Sequence, residues 1–187
     1  MDKWEVISSH KFEGVVTSIE FNEFGIVISN NKNLYFTEQW VGAPGDLFGD
    51  LRWHIRNLII GASRNWCKTI IEWNLASDEN QKPHTDGGCS SCLGAVTITD
   101  NSVQRNTAYY VIAHASKFVT PGSIRVYSSS TSSLPNVSFF TPGDKIVTVV
   151  LNDSNDKINF NIVLEDKSMH SSLNAGAVGT YIWDIKS

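Results

Sequence analysis

The chain has no long apolar run: nothing in its 187 residues approaches the roughly 20 consecutive apolar positions that a membrane-spanning helix requires. It has no excess of positive charge either. Fifteen lysines and arginines against nineteen aspartates and glutamates leave a net charge of −4 and a pI near 5.7. Nucleic acid and anionic membranes need a basic face, so neither is expected as a main partner. The opening Met1–His10 lacks the apolar core of a signal peptide, which leads to the expectation that the chain carries no export address of its own.

Cysteine is scarce as well: Cys67, Cys89 and Cys92 are the three present. The last two have the spacing of half a zinc site or of a redox pair. A structural zinc needs two more ligands; His84 is near, but there is no second CxxC. A thioredoxin-type pair would open a helix after a strand, whereas Gly87-Gly88 marks a loop. Cys89 and Cys92 therefore read as a small loop staple when oxidised, or as two buried thiols when reduced. No metal and no cofactor is expected. His84-Thr85-Asp86 has two members of a hydrolase triad, but no nucleophile elbow accompanies it.

What is present is ample material for a core, with 41% hydrophobic and 11% aromatic residues in a length that allows one large domain or two small ones. Three zones separate. Residues 1–31 hold two short β-like runs, Val15–Phe21 and Gly25–Ser29, around a turn at Asn22–Gly25. Residues 32–120 alternate strand and helix. Leu34–Trp40 reads as a strand. Asp50 can cap a helix whose Leu51, Ile55, Leu58, Ile59 and Ala62 make one apolar stripe. Thr69–Leu75 reads as a second strand. After a polar loop over 77–94, a last helix spaces Tyr110, His114 and Phe118 four apart, and Pro121-Gly122 stops it. Strand–helix–strand–helix is a parallel βαβα unit. Residues 121–187 differ: Ser123–Ser128, Val137–Phe140, Ile146–Leu151, Ile158–Val163 and Ala177–Trp183 are short strands with turn signals between, the pattern of an antiparallel sheet or sandwich.

The run that carries chemistry is Leu34-Tyr35-Phe36-Thr37-Glu38-Gln39-Trp40. A carboxylate ends a buried strand, beside an aromatic ring and ahead of the glycine-rich Val41–Gly49. Sugar-cleaving enzymes keep a nucleophile in such a place, although a strand-end glutamate is more often solvated surface. The run Phe36–Gly45, then Asp50–Gly61, Ile71-Glu72-Trp73-Asn74-Leu75-Ala76 and His84–Cys89, together resemble glycoside hydrolase family 30. That family contains glucosylceramidases and β-1,6-glucanases, and the resemblance runs from about Asn33 to Trp183.

The resemblance implies an α/β plus all-β architecture: the last two βα units (strands 7 and 8 with their helices) of a (β/α)₈ TIM barrel, followed by an antiparallel β-sandwich. It implies that Glu38 is the nucleophile of a retaining O-glycosyl hydrolase acting on a β-glucoside, glucan or glycolipid. Trp73 would stack on a sugar ring, Gln39 and Trp40 would orient substrate, and Asp86 would contact it from the loop. The bland alternatives are barrel core for Trp73 and strand-end packing for Gln39 and Trp40. Glu72 alternates with Trp73, so it reads as a structural partner of a helix-borne Arg; Arg52 and Arg56, one turn apart, read as partners of carboxylates on their own surface.

A retaining mechanism needs a second carboxyl about 5–5.5 Å from the first. The family's acid/base is a glutamate following asparagine on barrel strand four, and no Asn-Glu-Pro occurs here. The expectation is a fragment that carries the nucleophile but not the acid/base, inactive alone, whose partner is a missing N-terminal half of the barrel. The alternative is a non-catalytic β-sandwich module binding carbohydrate or a partner chain. Compartment stays open, since the family's members are commonly secreted or lysosomal.

Overall fold

The computed structural model describes residues 33–185 and, before them, the strand pair Glu20–Phe21 (β1) and Val27–Ile28 (β2). Two compact units result, Met1–Asn33 and Leu34–Ser187. In the first, β1 and β2 pair antiparallel with Glu20 opposite Ile28. The expected run Val15–Ile19 and the turn at Asn22–Gly25 lie outside the described residues.

The second unit opens with β3 (Leu34–Phe36) and β4 (Val41–Gly42), then α1 (Leu47–His54), which continues as a π-helical stretch over Ile55–Ala62, then β5 (Cys67–Ile70). β3 and β5 are parallel, with Tyr35 opposite Thr69 and Phe36 opposite Ile70. Parallel neighbours need a crossover, and the helix supplies it. The first expected strand stays in the ladder only to Phe36, and the second starts early, at Cys67, and leaves after Ile70. The helix begins earlier than expected, because Asp46 rather than Asp50 is its cap. Asp46 Oδ1 accepts from Phe48 N at 3.2 Å, while Asp50 Oδ2 reaches back to Asp46 N at 2.6 Å. The two carboxylates satisfy orphan amides reciprocally and sit at the positive end of the helix dipole. In the π-helical part, Gly61 lies against the Arg56 carbonyl five residues back. A Cβ there would come within 3.0 Å of that oxygen, so the wider turn favours glycine.

Next come β6 (Ala76–Ser77), β7 (Cys92–Leu93), β8 (Val96–Thr99), β9 (Ser102–Arg105) and α2 (Thr107–Ser116). β7 pairs antiparallel with β4, β6 parallel with β8, and β8 with β9 across an Asp100-Asn101 turn. The last helix buries Ala108 and packs on the core cluster through Val111 and Ala115; of the expected Tyr110, His114 and Phe118 spacing, His114 meets β15 instead, at Thr180. Tyr110 is 41% exposed and Phe118 lies past the helix end. Small residues let the backbone close on Ile55 and Ile59, which the larger rings could not.

The rest is β10 (Ile124–Val126), β11 (Asn136–Phe140), β12 (Lys145–Leu151), β13 (Ile158–Leu164), β14 (Lys167–Leu173) and β15 (Val178–Asp184). β10–β11–β12–β15 form an antiparallel sheet, and β13–β14 a hairpin. Strand alternation gives the sheet two faces. Val137, Val149 and Leu151, fully buried, join Ile55, Ile59, Ile60 and Val111 in one core cluster with the helices. Ser138 and Thr148 fall on the other face, hydrogen-bonded at 2.8 Å. They line a cavity of about 370 Å³ with Phe160 and Ile162 of the hairpin, the interior of the sandwich.

The β12–β13 loop ties these layers together. Asn152, fully buried, donates through Nδ2 to the carbonyls of Asp156, Leu173 and Asn174 at 2.7–3.0 Å and accepts from Ser154. Asp153 takes Arg52 Nε at 2.5 Å and Arg56 Nη1 at 2.9 Å. The expected partners of the two arginines thus reduce to one carboxylate, and it belongs to the sandwich instead of the helix's own surface.

Candidate active site

Glu38 lies just beyond the C-terminal end of β3, exposed, with no hydrogen bond or ion pair to another described residue. The backbone after it is held against the segment that follows β5. Ile71 N donates to Phe36 O at 3.0 Å, and Trp73 N to Gln39 O at 2.5 Å. The parallel register therefore extends past both ladders and brings Glu38, Gln39 and Trp73 to one end of the sheet. Gln39 Oε1 accepts from Trp40 N at 3.1 Å, which closes the strand end locally and leaves the Trp40 ring 47% exposed. Trp40 leads into β4, whose partner β7 contains Cys92.

Cys92 forms a disulfide with Cys89, and Ala43 N donates to Ser91 O at 2.7 Å. Of the two states expected for this pair, the loop staple is the one present. It fixes the loop that returns to the Trp40 side. Asp86 sits farther along the same loop, exposed in a turn closed by Gly88 N to Thr85 O at 2.9 Å. No hydrogen bond or ion pair connects Asp86 with Glu38 or Trp73 among the described residues. His84 Nδ1 contacts the Thr85 carbonyl at 3.1 Å, local loop structure and not a triad. Among the described residues no cluster of His, Cys, Asp and Glu could hold a metal ion.

Behind this end lies a buried polar pair. Glu72 Oε1 meets His54 Nδ1 at 2.6 Å, with both side chains almost wholly buried. Glu72 is a structural partner of the helix, as alternation predicts, but the helix residue is His54 and not an arginine. His54 carries no periodic signal in the sequence, since a buried histidine on an apolar face looks like any other core position. The pair clamps α1 to the segment Ile71–Trp73 that follows β5. The remaining oxygen, Glu72 Oε2, is buried without a partner among the described residues.

Cys67 is distant from this chemistry, at the opposite end of β5, and burial raises its thiol pKa above the ordinary 9.0. It is a protonated, unreactive thiol at neutral pH. Tyr35 and Ile71, 52% and 48% exposed, lie on the face of the β3–β5 sheet away from the helices, whereas Ile70 packs on the core cluster. That open face ends at Glu38 and Trp73.

Residues 122–181 match the model of the glycosyl hydrolase family 30 beta sandwich domain. Over 161 residues the chain is 28% identical to endo-1,6-beta-D-glucanase neg1 of Aspergillus fumigatus, covering 82% of this chain and 32% of that protein. It is 28% identical over 115 residues to the lysosomal acid glucosylceramidase of Mus musculus, covering 60% of this chain and 22% of that one. Among solved structures, the endo-beta1,6-glucanase BT3312 superposes with a TM-score of 0.76 at 29% identity, over 82% of this chain and 36% of its own. The chain spans about a third of the length of these glucanases. Sequence, family model and fold agree: the chain is similar to the C-terminal portion of glycoside hydrolase family 30 proteins, and residues 122–181 match that family's β-sandwich domain.

Proposed function

We propose that the chain carries the nucleophile half of a retaining β-glycosidase site. Residues 32–120 supply the last two βα units of a (β/α)₈ barrel, residues 121–187 supply the sandwich, and residues 1–31 form a separate segment. Glu38 attacks the anomeric carbon and forms the glycosyl-enzyme; a carboxylic acid from the upstream barrel protonates the leaving oxygen, then activates water. Trp73 stacks on the sugar at the cleavage point, Gln39 and Trp40 orient it, and Asp86 contacts it from the stapled loop. The substrate is a β-linked glucan or glucoside, in line with what the named relatives act on.

The observation that carries this reading is the Trp73-to-Gln39 backbone bond. It supports a shared end for two parallel strands, with Glu38 beside an aromatic ring at the strands' C-terminal ends, the face where barrel enzymes do their chemistry. The family's Asn-Glu-Pro acid/base motif does not occur in this sequence, so the pure chain is expected to be inactive. Steady turnover of an aryl β-glucoside by it, lost in Glu38→Gln, would overturn that. The nucleophile assignment is tested by grafting residues 33–185 in place of the corresponding third of the Aspergillus glucanase. The chimera hydrolyses β-1,6-glucan, and Glu38→Gln lowers its kcat/KM by about 10³-fold or more, the scale on which a covalent nucleophile acts. An equally active variant would assign the nucleophile elsewhere.

A second reading is favoured by one feature, the cavity between the four-stranded sheet and the β13–β14 hairpin, at whose rim Tyr127 stands exposed. In it the sandwich is a non-catalytic carbohydrate-binding module. Retardation of the full chain in β-glucan affinity gels, abolished by Tyr127→Ala but untouched by Glu38→Gln, would favour it over the first.

A further inference from the structure

At the amino-terminal end of β5, opposite to Trp73, the chain leaves the π-helical stretch through Arg64, Asn65 and Trp66. Trp66 adopts φ 68°, a left-handed conformation that a bulky side chain takes only when its surroundings hold it there. Its ring lies against Arg125 of β10, whose guanidinium carbon is 4.0 Å from the ring centre, and its amide donates to Ser63 O at 3.1 Å. Trp66 remains 55% exposed, so the contact leaves much of the ring open to solvent.

Beside the pair is a cavity of about 780 Å³. Lys68 and Arg125 line it, with hydroxyls from Ser63, Thr69 and Ser116 and an apolar wall that includes Phe139. None of its lining residues is an Asp or a Glu. Arg125 Nε is buried and has no hydrogen-bond acceptor among the described residues. A second guanidinium, Arg64, stands close by, donating to Asn136 O at 3.0 Å and to Ser128. Burial first, then the Arg64 charge, hold the pKa of Arg125 below the ordinary guanidinium value. Three cations, one with a buried donor that lacks an acceptor, thus gather with no carboxylate among the described residues that line the cavity. A buried donor without an acceptor is costly, and an anion in the cavity would supply the acceptor that Arg125 Nε lacks.

We propose that this cleft is a binding site for a carboxylate-bearing sugar, its carboxylate taken by Arg125 and Lys68 and its ring laid on the apolar wall beside Trp66. The stacked arginine presents a planar, pre-oriented fork to the carboxylate, and the hydroxyls meet the ring's own hydroxyls. The site is independent of Glu38, so the failure of either assignment leaves the other standing.

The test is a titration of the full chain with sodium D-glucuronate at constant ionic strength, following the Trp66 indole N–H resonance, assigned with Trp66→Phe. A saturable shift is expected, with D-glucose producing none. Arg125→Gln and Lys68→Gln should each weaken binding by about fivefold or more, the scale of one charge-assisted contact. Lys68 is on the surface, so its variant keeps the fold even where Arg125→Gln does not. The proposal is overturned if glucose or added chloride reproduces the shift, or if Lys68→Gln binds as the parent does. Acetate binding as tightly as glucuronate would overturn the part assigned to the ring.

Discussion

His114 of α2 is half-buried against β15. Its Nδ1–H donates to Thr180 Oγ1 at 2.9 Å, and the Thr180 hydroxyl donates to the His114 carbonyl at 3.2 Å. Burial holds the imidazole pKa below its ordinary 6.5. As pH falls, the unfolded chain takes up this proton first, so the contribution of His114 to stability is complete above 6.5 and is lost as pH falls through the lower folded value. Urea unfolding midpoints should drop over that interval, and His114→Gln should flatten the drop; identical slopes for both proteins would refute the assignment. At the same scale, the strand-end positions of Glu38, Gln39 and Trp73 are legible in the sequence from the apolar runs that lead into them, while their roles are what the resemblance implies. His54 is not. Its role comes from facing Glu72 across a helix–strand packing contact, and nothing in the residues around position 54 encodes that.

Between elements, the Arg52–Asp153–Arg56 cluster does what neither α1 nor the sandwich could do alone. Asp153 is buried and accepts two guanidinium groups, so removing it strands both arginines. Asp153→Ala should cost about 3 kcal/mol in urea unfolding. Arg56→Ala should cost about 1 kcal/mol or less, because that side chain is largely exposed. A cost for Asp153→Ala no larger than that of Arg56→Ala would mean that the cluster does not pin the layers. Element recognition from the sequence follows the same logic of burial. β11, β12, β13 and β15 are legible because one face is apolar. β14, Lys-Ser-Met-His-Ser-Ser-Leu, is too polar to be noticed; its strand character comes from pairing with β13. The β8–β9 hairpin is missed although Asp100-Asn101, between Thr99 and Ser102, is a fair turn signal.

For the whole molecule, the open β3–β5 sheet is the decisive feature. Among the described residues, β3 and β5 pair only with each other, and the face bearing Tyr35 and Ile71 is uncovered. Unpaired edges with exposed apolar side chains recruit further strands. The purified 187-residue chain should therefore sediment above its 20.7 kDa monomer mass as concentration rises. Strictly monomeric behaviour over a hundredfold range would show that these edges are covered. What the sequence by itself determined is local: which runs form strands and helices, which carboxylate ends a strand beside a tryptophan, and which cysteines lie close enough to join. These follow from periodicity, turn chemistry and spacing, all properties of neighbours along the chain. Only the tertiary structure decided which cap starts α1, that His54 rather than an arginine meets Glu72, that one aspartate serves two arginines, and that Arg125 lies on Trp66. Each of those contacts joins separate packed segments or depends on where the backbone turns, and its energy comes from burial and geometry that no single segment contains.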